Sequence, residues 1–373
     1  MRARGNARWE RILRGEPRGV WDRLAGAGLW TLSVGYGAAL RLHLLGYRLG
    51  IARRTRLAAR VISIGNLTLG GTGKTTASLA VARWLADQGQ AVAVLSRGYG
   101  GSGEGKSVVV SEGFGPLVEW TQAGDEAFLM ARMLPGVFVL AGKDRRRTGR
   151  RAVQEFGAEA LVLDDGFQYQ RLQKDVEIVL VDALEPFGHD FFVPRGLLRE
   201  PVRHLASADA VWITHCDLAR DADVAKLRKH VSGLAPRARI WETVHAPVRL
   251  RELSGADEWE PDAIRGRRVC ALSSVGNPVS FERTLEKLGA IIVARSRFPD
   301  HHVYRAEQLW DLARDEATSA EWIVTTEKDA VRLTPGEVGK PVCVLGVELA
   351  RWEGASTLSE ELSCLLTADP TGS

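Results

Sequence analysis

The sequence predicts an α/β protein in three parts: an N-terminal membrane-associated helix within 1–55, a parallel-sheet domain over 56–180, and a second, smaller α/β domain over 181–339. Residues 340–373 are available to complete the first domain. Three observations predict this. From Arg60 onward, short aliphatic and β-branched runs alternate with helical segments, the pattern of a parallel sheet with crossover helices. The same alternation restarts after Pro201, which calls for a second unit. An apolar segment flanked by arginines precedes both and matches neither.

A chain of 373 residues is comfortable for two α/β domains. Its net charge of +4 gives no polyanion-wide field, so nucleic acid is not the default partner. The cysteines at 216, 270, 343 and 364 form no C-x-x-C pair and have no histidine at zinc-ligand spacing. They read as buried or indifferent thiols of a reducing compartment. The first nineteen residues hold six arginines and no apolar signal-peptide core, so the chemistry is expected to face the cytoplasm.

Residues 20–51 are rich in Leu, Trp, Tyr, Ala and Gly, and 24–40 is an uncharged stretch of seventeen. A spanning helix needs about 20 apolar residues, so one helix or a helix pair lying in the membrane surface is the better reading. Arg53, Arg54, Arg56 and Arg60 would then meet anionic headgroups. The competing reading is an amphipathic helix docked on the protein's own core.

The run V-I-S-I-G-N-L (61–67) is a buried-type strand, and a helix is expected over 75–87. Between them lie Gly70, Gly71, Thr72, Gly73, Lys74, Thr75 and Thr76. Glycines let backbone N–H groups turn inward around phosphates, and the following helix N-terminus adds partial positive charge. Lys74 would reach the β- and γ-phosphates and Thr75 would ligate Mg²⁺. This makes the domain P-loop NTPase-type, binding a nucleoside triphosphate such as ATP. Thr68 stands where the usual pattern has its first glycine, and Leu69 stands where partitioning ATPases carry a signature lysine.

Asp164 and Asp165 close the strand A-L-V-L, at the carboxyl end where parallel sheets present ligands. One of them can hold Mg²⁺, whereas a single strand-end Asp would as readily cap the next turn. Asp125 and Glu126 follow Gly124 at a helix start, where capping and catalysis are equally open readings. Asp300, His301 and His302 lie in a loop after a strand, a set suited to metal ligation or acid–base work.

Taken in order, I-G-N-L-T-L-G-G-T-G-K-T (64–75), S-R-G-Y-G (96–100), G-D-E (124–126), D-D-G-F-Q (164–168), P-R-G-L-L-R-E-P (194–201), F-P-D-H-H-V-Y (298–304) and T-E-K-D-A-V-R-L (326–333) resemble the tetraacyldisaccharide 4′-kinase family. The resemblance runs over about residues 20–350. It implies an inner-membrane-associated enzyme on the cytoplasmic face. Such an enzyme transfers the γ-phosphate of ATP, with Mg²⁺, to the 4′-hydroxyl of a tetraacylated glucosamine disaccharide 1-phosphate, in lipid A biosynthesis. It implies two α/β/α domains joined by a two-stranded linker. It pairs Asp125 with His301 to activate the hydroxyl, Asp125 being expected to accept the proton and His301 to orient Asp125, with Lys74 as the third catalytic group. It places the metal on Thr75, Glu126, Asp164 and Asp165, and the substrate on Asn66, Arg97, Gln168, Arg171 and Arg199. The partners implied are the lipid disaccharide and the membrane surface, with no obligate protein partner. The sequence departs from the family pattern at Thr76, Ala127, Tyr169, Gln170 and Leu197.

Two other classes compete. A membrane-recruited P-loop ATPase that switches partners would share the phosphate loop but lacks support at Leu69. A metal-dependent phosphoesterase built on Asp300, His301 and His302 leaves the loop unexplained.

Overall fold

The computed structural model describes residues 19–103, 105–305, 307–309, 319–336, 340–352 and 357–366, together with Arg11. Among the described residues, thirteen strands form the sheet on which the fold is built. Helix α1 (Val20–Arg48) comes first and is one helix of 29 residues, not a pair. No helix among the described residues is long and apolar enough to cross a membrane. Its attachment to the body uses one narrow face. Ser33 and Gly37, four residues apart, are buried, and the Ser33 hydroxyl donates to the Phe192 carbonyl at 2.7 Å. Tyr36 donates to the Arg199 carbonyl at 3.0 Å. The rest of the helix presents Trp21, Leu24, Trp30, Leu32 and Leu42 outward.

The nucleotide half follows. β1 (Arg60–Asn66) leads into α2 (Lys74–Asp87), then β2 (Val92–Ser96) and β3 (Val108–Glu112). Next come α3 (Trp120–Ala123), α4 (Asp125–Met133), β4 (Phe138–Ala141), α5 (Arg145–Phe156), β5 (Ala160–Asp164) and β6 (Val176–Asp182). The central strands are buried on both faces, which is why they read as unbroken apolar runs. α2 and α4 cover one face, where Val81, Trp84, Leu85 and Met130 pack on Ile62, Ile64 and Val94. α5 covers the other. Asp144 caps α5 by accepting from the Arg146 amide, and Gly157 in a left-handed conformation ends it.

After β7 (Ala210–Thr214) and α6 (Asp221–Leu234) comes β8 (Arg239–Glu252), fourteen residues long. Its first residues pair in parallel with β7, and from Thr243 it pairs antiparallel with β13 (Val342–Arg351). β8 and β13 are therefore the ribbon joining the halves. The second half holds β9 (Glu258–Trp259), β10 (Arg268–Ser273), α7 (Pro278–Lys287), β11 (Ile291–Arg297), β12 (Trp322–Thr326) and the short α8 (Glu327–Ala330). Strand order across the molecule is β11-β10-β12-β13-β8-β7-β6-β1-β5-β2-β4-β3.

β7 and the start of β8 continue the first sheet beyond β6, past the boundary expected at 180. α9 (Leu358–Leu366) returns to the nucleotide half, where Leu362, Leu365 and Leu366 enter the core beside Trp84. Each such leucine contributes roughly 1.5–3 kcal/mol by burial.

Candidate active site

β1, β5 and β6 lie side by side, so Asn66, Asp164 and Asp182 end adjacent strands at one rim. Parallel sheets take their ligands at this rim. Between β1 and α2 the chain turns through Gly70 (φ 121°) and Gly73 (φ 88°), a backbone region that side chains disfavour. Thr72 is buried, while Lys74, Thr75 and Thr76 border a cleft of about 510 Å³ between the halves.

Asn66 is fully buried beneath this loop. Its amide donates to Thr72 Oγ1 at 2.9 Å, and its oxygen accepts from Lys74 at 3.3 Å and from Arg199. Gln168 donates to the Asn66 carbonyl at 2.8 Å. Of the two residues expected to meet substrate, Asn66 is thus bonded to the loop through Thr72 and Lys74, and Gln168 to the Asn66 backbone. Arg171 is exposed and borders no part of the cleft, its carbonyl accepting from the Thr55 amide at 2.8 Å. Arg97 and Arg199 do border it.

The two strand-end aspartates have separate environments. Asp165, at φ 51°, takes Arg199 at 2.9 and 2.7 Å and Lys74 at 3.7 Å. Burial works to raise its pKa, but Lys74, Arg199 and Arg145 outweigh that and hold it well below the carboxylate range. Asp164 accepts from Ser78 at 3.0 Å and is almost fully buried. Burial, then Glu126 and Asp165, push it up to about 7 against the pull of Lys74. Arg145, buried, donates to the Asp164 carbonyl at 3.0 Å and fixes that strand end.

Across the cleft, His301 Nδ1 lies 2.9 and 3.1 Å from the two Asp125 carboxylate oxygens. Asp125 is almost fully buried and accepts from the Glu126 amide at 2.8 Å and from Arg332. It lies behind His301, and His301 is the member that borders the cleft. Burial favours the neutral acid, but the His301 hydrogen bond and the charges of Lys328 and Arg332 keep the Asp125 pKa lowered. Arg332 reaches Asp125 from the second half and also donates to Ser274 Oγ at 2.8 Å and to Asp329. His302 stacks on Phe298 at 4.7 Å between centroids and meets Gln308 at 2.9 Å, so it serves the loop's own packing.

Reading the sequence missed Lys328, Arg332 and Ser78. The first two lie in T-E-K-D-A-V-R-L, which carried a resemblance without a role. The departures from the family pattern have local partners. Tyr169 donates to Asp144 at 2.9 Å, Gln170 accepts from Arg54 at 2.9 Å, and the Leu197 carbonyl accepts from the Leu69 amide at 2.7 Å.

Among the described residues, no three His, Cys, Asp or Glu side chains form a metal cluster on their own. A cation shared with phosphate oxygens needs fewer protein ligands. The residues fit one: Thr75, Glu126, Asp164 and Asp165 all border the cleft, and burial together with Glu126 and Asp165 raises the Asp164 pKa, a crowding of carboxylates that a divalent cation relieves.

A phosphate loop at the rim of a parallel sheet, with a buried Asp of the same half bonded to a His that reaches the cleft from the other half, defines a nucleotide-dependent phosphotransferase. Residues 25–366 match the family of tetraacyldisaccharide-1-P 4′-kinases. A tetraacyldisaccharide 4′-kinase from Anaeromyxobacter sp. (strain K) is 42% identical over 359 residues, covering 95% of this chain and 94% of that one. The namesake from Halothermothrix orenii is 36% identical, covering 91% and 92%. The crystal structure of LpxK from Aquifex aeolicus in complex with ATP has a TM-score of 0.69 at 28% identity, covering 91% of this chain and 98% of that one. The chain belongs to the tetraacyldisaccharide 4′-kinase family, the ATP-dependent kinases of lipid A biosynthesis.

Proposed function

We propose that the cleft carries ATP on the 70–76 loop and presents the 4′-hydroxyl of the tetraacylated disaccharide 1-phosphate to its γ-phosphate. The observation that carries this is His301, which borders the same cleft as Lys74 and lies 2.9 Å from the buried Asp125 carboxylate. A sugar hydroxyl is a weak nucleophile at neutral pH, and a group that accepts its proton lowers the barrier. His301 borders the cleft, so its Nε2 receives the proton while Asp125 holds Nδ1–H and balances the charge. This exchanges the roles the sequence suggested, because Asp125 has no open path to an acceptor. Lys74 holds the terminal phosphates and Arg145 keeps Asp164 in place. Thr75, Glu126 and Asp164 would hold Mg²⁺, which supplies charge neutralisation on the phosphate oxygens when bound. Asp165 is committed to Lys74 and Arg199.

The partner surface is a membrane. α1 exposes tryptophans and leucines and is bonded directly to the loop bearing Arg199. Arg199 and Arg97 would then approach the polar parts of a lipid whose chains remain with α1. The two halves on either side of the ribbon act as nucleotide and acceptor domains.

The test is transfer of label from γ-labelled ATP to the lipid disaccharide, separated by thin-layer chromatography. Asp125→Asn and His301→Ala should each lower kcat by roughly 10²–10⁴-fold with little change in KM. The double variant should be hardly worse than either, because the pair acts as one unit. Fully multiplicative losses would refute the pairing, and Lys74→Ala at wild-type rate would refute the phosphate loop.

A further inference from the structure

We infer that Lys328 is a catalytic residue of the transfer: its ammonium contacts the moving phosphoryl group from the wall opposite Lys74. This rests on the kinase reading and adds a group to it.

Lys328 lies in α8 beside Asp329, a fully buried carboxylate. Asp329 accepts from Thr326 Oγ1 at 2.8 Å, from the Ser274 amide at 3.1 Å, from Tyr304 at 3.1 Å and from Arg332. The backbone under Lys328 is therefore firmly anchored. Its side chain runs into the cleft, where 18% of it remains exposed. Nζ lies 3.0 Å from Glu126 Oε1, 3.4 Å from Asp300 Oδ1 and 3.4 Å from His301 Nε2. Two carboxylates, Glu126 and Asp300, thus hold the ammonium against the His301 ring nitrogen on the cleft side.

A simple brace between the halves would explain less. Arg332 already braces them, joining Asp125 of the nucleotide half to Asp329. Lys328 instead engages the anions of the cleft wall. Glu126 and Asp164 border the cleft together with one lysine from each half, Lys74 and Lys328. A terminal phosphate entering there meets one fixed cation from each wall. In the transfer, the 4′-oxygen bonds to phosphorus as the bond from phosphorus to the bridging oxygen breaks. The electron pair of that bond leaves with ADP, and the hydroxyl proton passes to His301. Charge is spread over the three equatorial oxygens meanwhile, and a cation already in position stabilises it without reorganisation.

The experiment compares Lys328→Met, Lys328→Gln and Lys328→Arg with wild type. It measures kcat for lipid phosphorylation, Kd for ATP and ADP, and Kd for ADP with aluminium fluoride, a mimic of the planar phosphoryl group. Met and Gln should lower kcat by roughly 10³-fold or more. Both should leave ATP and ADP binding within about threefold, yet lose the tightening that aluminium fluoride gives wild type. Arg should recover part of both. The inference is overturned if Met and Gln keep kcat within about tenfold. It is equally overturned if ADP and ADP–aluminium fluoride affinities fall together, the mark of a brace. If either neutral variant does not fold, the other and the Arg variant make the same comparison. Wild type that phosphorylates no lipid would count against the kinase reading instead.

Discussion

His245 sits on the joining ribbon with its ring against the phosphate loop; a Cβ on Gly73 would lie 2.3 Å from its Nε2. Part of the residue is exposed, yet both ring nitrogens are closed to solvent and find no hydrogen-bond partner among the described residues. The ring packs on His215 at 4.5 Å between centroids, and His215 in turn lies 3.1 Å from Asp182. Burial, with His215 beside it, pushes the His245 pKa down to about 3 against the opposing charge of Asp182. The unfolded chain therefore binds a proton near pH 6.5 that the folded chain refuses until about pH 3. Stability should be lost as pH falls through that window, by about 1.4 kcal/mol per pH unit from this group. His245→Phe removes the titration, so its Tm should fall less than wild type's between pH 6.5 and 4.5. Identical slopes would mean another group titrates. Nothing in the sequence marked this histidine, because its significance comes from a glycine 172 positions away in the chain.

α1 combines a strong local signal with a weak tertiary one. Deleting residues 1–50 should release the protein from membranes and raise KM for lipid in bilayers, with ATP affinity retained. Sedimentation with vesicles checks the first outcome and initial rates the second; continued sedimentation would place the anchor elsewhere. Gly37→Leu offers a gentler version, since a Cβ at Gly37 already lies 3.0 Å from the Phe192 ring. The elements that the sequence made legible were those with one unambiguous pattern. β1, the glycine turn and α2 read correctly because buried strand, turn chemistry and helix start follow each other without interruption. β3 was not legible, being a short antiparallel edge strand with a bulge between Val109 and Ser111. Past its first five residues β8 carries no clean strand pattern, because Pro247, Arg249 and Arg251 continue it as a ribbon with half-exposed faces. Asp125 and His301 were legible by family resemblance; that His301 stands in front could come only from three-dimensional burial.

Across the whole molecule, the halves meet backbone to backbone as well as through charges. Gly276, in the turn before α7, lies so close to the phosphate loop that a Cβ would stand 2.5 Å from the Gly71 amide nitrogen and 2.8 Å from the Gly70 carbonyl carbon. Rotation of a side chain cannot relieve such a contact, so Gly276→Ala must push the second half away from the loop. Asn277 would move with it, breaking its 2.9 Å hydrogen bond to Asp182 at the end of β6. His301 and Lys328 are carried by the same half and meet Asp125 and Glu126 at distances that tolerate little change. A misplacement of about 1 Å can cost around 10²-fold in rate, because reacting groups must be held in near-attack geometry. Gly276→Ala should therefore lower kcat by about 10–100-fold, while ATP affinity stays within a few-fold because the second half, not the loop, gives way. Stopped-flow binding of a fluorescent ATP analogue and steady-state transfer to lipid measure the two effects separately. An unchanged or faster kcat would show that transfer occurs with the halves further apart than they stand in this structure. A matching loss in ATP affinity would show that the second half also shapes the nucleotide site.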